Sequence, residues 1–120
     1  MKEEKLQQHL STLKGSEGSY PFGPEALVFK VMHKMFALIS QKETPPRVTL
    51  KCLPADAEVL VGQYASVIPG YHMNKRHWVT ISLTGELPDE MLIDLANGSY
   101  ELVVGQLSKA DKERLQRQTR

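Results

Sequence analysis

Arg47-Val48-Thr49-Leu50-Lys51-Cys52-Leu53-Pro54-Ala55-Asp56-Ala57-Glu58 changes its hydrophobic period once, and that change decides the fold. Val48, Leu50 and Cys52 alternate with Arg47, Thr49 and Lys51, the period of a half-buried strand. Pro54 suits the first position of a helix, and Asp56 and Glu58 fall in its first turn, where negative charge favours the helix dipole. Ala57, Leu60, Val61 and Tyr64 then recur at helical spacing and carry this helix to about Ala65.

Working outward, the strand pattern returns at Trp78–Leu83, with Val79, Ile81 and Leu83 on one side and Trp78, Thr80 and Ser82 on the other. Pro88-Asp89-Glu90 opens a further helix by the logic of Pro54. Its stripe of Leu92, Leu95, Ala96, Ser99, Leu102 and Val103 keeps phase through Asn97-Gly98 to about Leu107. Ser108 can cap a last short helix, Lys109 to Arg117. Upstream, Ala26 to Ile39 is rich in strand formers and reads as two strands around a turn at Met32-His33-Lys34, although the turn has no Gly or Asn. Gly15, Gly18, Pro21, Gly23 and Pro24 read as a loop. Before it, Leu6, Leu10 and Leu13 mark a first helix over residues 3–13.

Consecutive strands with short turns imply antiparallel pairing, with the helices gathered on one side. The expected fold is α+β, a two-layer sandwich of an antiparallel sheet with helices on one face and the other face at least partly open. At 120 residues the chain is read as one domain spanning residues 1–120. A chain of this length buries roughly two-thirds of its unfolded surface and needs no disulfide or metal to fold.

Net charge is +1, so no blanket attraction to nucleic acid or membrane is expected. No apolar run approaches the ~20 residues that span a bilayer. The first residues lack the apolar centre of a secretory signal, and the single cysteine, Cys52, can form no internal disulfide. A cytoplasmic location is the expectation. The charges are nevertheless segregated. Between Lys30 and Trp78 cations dominate; from Thr84 to Tyr100 the charged residues are Glu86, Asp89, Glu90 and Asp94.

One further segment gathers binding chemistry: Pro69-Gly70-Tyr71-His72-Met73-Asn74-Lys75-Arg76-His77-Trp78. By alternation Trp78, Thr80 and Ser82 share the open face with Thr49 and Lys51. A tryptophan among cations is how single-stranded nucleic acid is commonly held, and Asn with cations also suits a duplex. Against this stands a structural reading, in which Asn74 ties a turn and Trp78 covers an apolar patch. The exposure of Trp78 separates the two. His72 and His77 have no acid or cysteine close by to complete a metal site. Cys52 falls on the apolar side of its strand and reads as a buried small hydrophobe. No phosphate loop, dinucleotide fingerprint or nucleophile elbow is present. No catalytic residues, metal or cofactor are expected.

Arg47-Val48-Thr49-Leu50-Lys51-Cys52, Pro69 to Trp78 with its Asn74-Lys75-Arg76-His77-Trp78 core, Leu87-Pro88-Asp89-Glu90 and Ser99-Tyr100 together resemble the MmcQ/YjbR family of small bacterial proteins, over about residues 25–110. The resemblance implies a two-layer fold related to the frataxin-like arrangement, and a DNA-binding role through paired β "wings". It marks Lys51, His72, Asn74, Lys75, His77 and Trp78; Arg76 joins them on charge. Iron binding is not carried over, since the first helix offers only Glu3 and Glu4. The expected function is a non-catalytic DNA-binding module using Lys51, His72, Asn74, Lys75, Arg76, His77 and Trp78. The alternatives are a protein-interaction or regulatory domain and a small-ligand-binding protein.

Overall fold

A computed structural model describes residues 1–70 and 73–118. Along the chain run α1 (Glu3–Thr12), β1 (Ser16–Ser19), β2 (Ala26–Val31), β3 (Lys34–Ser40), β4 (Arg47–Lys51), α2 (Pro54–Gln63), β5 (Val67–Pro69), β6 (Trp78–Ser82), α3 (Asp89–Gly105) and α4 (Lys109–Arg117). The strands form one antiparallel sheet in the order β1-β2-β3-β4-β6-β5. The α+β expectation holds, but the sheet has six strands rather than four. The expected loop after Gly15 contains β1, and the segment after α2 contains β5. Both are edge strands of three or four residues, and short edges resist pairing with other chains.

The alternation in β4 and β6 sorts as expected. Val48, Leu50, Val79 and Ile81 are buried in the core beneath the helices. The β2–β3 hairpin departs from simple alternation. Its register shifts after Phe29, so that Phe29 faces Ala37 and Lys30 faces Met35. Phe36 is the extra residue of this bulge. The bulge lets both Phe36 and Ala37 enter the core at 0 % exposure. Phe36 there meets the Tyr100 ring edge-on at 5.3 Å.

Ser99 locks α3 to the sheet from a fully buried position. Its Oγ donates to the carbonyl of Phe36 in β3 and accepts from the backbone N–H of Lys51 in β4. One hydroxyl thus satisfies two backbone groups on adjacent strands. α3 runs unbroken through Asn97-Gly98, and Ser108 caps α4 by accepting from the Asp111 N–H at 3.1 Å. The second helix ends at Gln63, slightly before the expected Ala65.

The face away from the helices needs a correction. Thr49 and Thr80, expected to project into the open, are 3 % and 1 % exposed and bond to each other at 2.8 Å. With Phe22, Leu38, Arg47 and Met73 they line a hollow of about 410 Å³. The loops before β2 and before β6 shield this side, so that it is not bare.

Candidate nucleic-acid interface

β4 and β6 run antiparallel, so the end of β4 lies beside the start of β6, with Lys51 opposite Trp78. The Lys51 ammonium stands 5.9 Å from the centroid of the Trp78 ring, within cation–π range. The same ammonium donates to Gln106 Oε1 at 2.7 Å, beyond the end of α3. Lys51 therefore bends around the sheet's end toward the helices instead of projecting from the open face. Trp78 is half-buried, between the two expectations for it.

The loop entering β6 is held by its backbone. The Gly70 N–H donates to the Trp78 carbonyl at 2.8 Å, and the Cys52 N–H donates to the His77 carbonyl at 2.8 Å. Asn74 Oδ1 accepts from the Arg76 N–H at 3.0 Å, and the Asn74 carbonyl accepts from the His77 N–H at 3.2 Å. Asn74 thus spends its side-chain oxygen on the turn, as an Asx turn does. A Cβ on Gly70 would lie 2.7 Å from Trp78 Cβ and 3.0 Å from the Trp78 carbonyl oxygen, so only glycine lets the loop close this tightly.

The result is a hydrogen-bonded turn over residues 74–77 with outward cations. Lys75, Arg76 and His77 are exposed. Lys75 Nζ donates to the Gly70 carbonyl at 3.4 Å. Lys75 and Arg76 overhang a hollow of about 320 Å³ beside α2, whose acid is Glu58. His72 lies outside the described residues. The structure brings together Lys51, Asn74, Lys75, Arg76, His77 and Trp78 at one end of the sheet, with Asn74 in a structural role.

Topology adds a neighbour that the sequence could name but not place. The β2–β3 turn falls at the same sheet end as Lys51, because Ala37 pairs with Leu50 and the chain then rises from β3 toward its start. His33 and Lys34 are exposed there. At ~4.8 Å per strand, this tip stands some 10–15 Å from Trp78 along the sheet.

Cys52 is 7 % exposed and belongs to the core. Burial, reinforced by the Asp56 carboxylate, pushes its thiol pKa up, away from the thiolate a nucleophile needs. Among the described residues, no three His, Cys, Asp or Glu side chains gather as a metal site, and no helix is long and apolar enough to cross a membrane. Leu95 and Leu102, placed in the core stripe by their spacing, are only partly buried. They line a groove between α2 and α3 that the sequence did not reveal. Its one readable signal was Val59, an apolar residue off the α2 stripe.

A sequence model of the YjbR family matches residues 11–102. The chain is 42% identical to the uncharacterized protein YbdF of Escherichia coli O157:H7 over 96 residues, which is 80% of this chain and 79% of that protein. It is 36% identical to the uncharacterized protein YjbR of Escherichia coli K12 over 110 residues, covering 92% of this chain and 93% of that one. The crystal structure of the Deinococcus radiodurans protein DR2400, with a domain described as DUF419, superimposes with a TM-score of 0.86 at 38% identity, covering 93% of this chain and 86% of that one. A Pseudomonas syringae protein shares the fold with a TM-score of 0.73 at 23% identity, over 85% of this chain and 98% of that one.

Proposed function

This chain belongs to the YjbR family, and from that premise we propose that it is a non-catalytic module that binds nucleic acid with the cationic end of its sheet. The observation that carries the reading is the pairing of the Lys51 ammonium with the half-buried Trp78 ring, flanked by exposed Lys75, Arg76 and His77 on a hydrogen-bonded turn. A hydrogen-bonded turn presenting exposed cations lowers the ordering cost of phosphate contact. The Trp78 ring offers a stacking surface to an unpaired base. His33-Lys34 at the neighbouring hairpin tip supplies a second point of contact along a strand.

The contact count sets the expected salt response. Four phosphate contacts, from Lys34, Lys51, Lys75 and Arg76, give log K against log salt a slope of about −3 on single strands. Raising salt from about 50 to 200 mM then weakens binding roughly 50-fold. Fluorescence anisotropy with a labelled single-stranded oligonucleotide and its duplex measures this directly. The Lys75→Ala/Arg76→Ala variant should flatten the slope by about 1.4 and weaken binding without regard to sequence. Absence of wild-type binding at low salt, or identical slopes for wild type and variant, would refute the proposal.

A further inference from the structure

We propose that the groove between α2 and α3 is a binding site for a small organic cation, an apolar body bearing an ammonium or guanidinium head. The groove has a volume of about 630 Å³, within the range of ~300–1,000 Å³ that small-molecule sites occupy. Leu60, Met91, Leu95 and Leu102 form its apolar lining. Leu53 and Val59 stand on its edge, each 54% exposed, and extend its apolar surface.

Three carboxylates line the same groove: Asp56 from α2, and Asp94 and Glu101 from α3. All three are exposed, and among the described residues none makes a hydrogen bond or ion pair. The single cation of the lining, Lys51, already has its ammonium on Gln106. The charge of the groove therefore favours a cationic occupant and repels phosphate. Lys51 stands at the border between this groove and the surface proposed for nucleic acid.

Gly98 locates the head group. Asp94, Gly98 and Glu101 follow at i, i+4 and i+7, so they share one face of α3, with an acid one turn to either side of the glycine. A Cβ at Gly98 would meet no atom within 4 Å. The gap is thus open space flanked by carboxylates. Glycine in the middle of a helix is the most costly residue after proline, and the space it leaves lets a ligand head approach the α3 backbone between the two carboxylates. Asp94 and Glu101 flank one point of α3, which suits a compact ligand better than a partner helix.

The test is a titration of the ¹⁵N-labelled full chain with 2-(1-naphthyl)ethylammonium and, separately, with 1-naphthylacetate, which presents the same ring with the opposite charge. The ammonium should shift amide signals of α2 and α3 saturably, with half-saturation below about 1 mM, and the carboxylate should bind at least about tenfold more weakly. Gly98→Leu should keep or raise the melting temperature, since its side chain enters open space, yet abolish binding by filling the gap. Asp94→Asn/Glu101→Gln should weaken the ammonium by about tenfold while leaving neutral 2-(1-naphthyl)ethanol unaffected. Equal binding of the two ions, undiminished binding to Gly98→Leu, or shifts confined to other elements would each overturn the proposal. So would a groove that answers only to a cationic amphipathic peptide, because its occupant would then be a macromolecule.

Discussion

Gly70 and Trp78 show how one contact can separate the structural from the binding part of a segment. The loop closes on the start of β6 because Gly70 has no side chain where its backbone meets Trp78. Gly70→Ala forces either the Trp78 strand or the loop to move, and overpacking of this kind costs about 1–3 kcal/mol. The urea midpoint should fall by the corresponding amount with an unchanged m value, since the compactness of the unfolded chain is unaffected. Lys75 and Arg76, whose exposed side chains brace no core residue, should tolerate alanine within about 0.5 kcal/mol in the same measurement. That contrast is what lets the double variant test binding without unfolding the protein. Asn74 was legible from the sequence as a turn residue because an Asx turn is local chemistry. The half-burial of Trp78 was not, because it depends on Lys51 from β4 and on how tightly Gly70 closes the loop.

At the scale of elements, legibility tracks how far a pattern is self-contained. β4, β6 and α3 each bury a face long enough for its period to show, and each formed as read. β1 and β5 have no such period. Ser16-Glu17-Gly18-Ser19 is a strand only because β2 offers it an edge to pair with, and Val67-Ile68-Pro69 only because β6 does. The β2–β3 hairpin lies between these cases. Its strands were legible and its turn chemistry argued against it, since Met32 and His33 both adopt positive φ, 48° and 68°. Tight hairpin turns want this geometry, but side chains other than Gly, Asn and Asp resist it. The register on either side, fixed by burial of Phe29, Val31 and Phe36, overrides the local preference. His33 is exposed, so His33→Gly should relieve strain without losing a core contact. The expected gain is about 0.5–1 kcal/mol, read as a higher urea midpoint. A loss of stability would mean that the imidazole makes a contact that offsets its backbone.

Over the whole molecule a net charge of +1 conceals a division. Cations collect at one end of the sheet, and acids line the groove between α2 and α3. A third set of charges ties α1 to the start of α3. The Asp89 carboxylate, in the first turn of α3, accepts from Lys5 Nζ at 3.0 Å and lies 3.5 Å from the N-terminal ammonium. The Lys5 hydrogen bond above all, with the charges of Lys5 and the N-terminus, holds the Asp89 pKa below its ordinary 3.8. A carboxyl that ionises more readily in the folded state stabilises that state above its unfolded pKa. The contribution is lost as pH falls through the lower, folded value. Asp89→Asn removes the charge at every pH. Its melting temperature should therefore lie below that of the wild type at pH 6, and the two should converge as the pH falls through the lowered, folded pKa of Asp89 and the carboxyl becomes protonated in both states. Because the pair faces solvent, the gap at pH 6 should also shrink in about 1 M salt, where the screening length is only ~3 Å. A gap that persists unchanged at low pH would assign the role of Asp89 to the opening of α3 itself and not to its tie with α1.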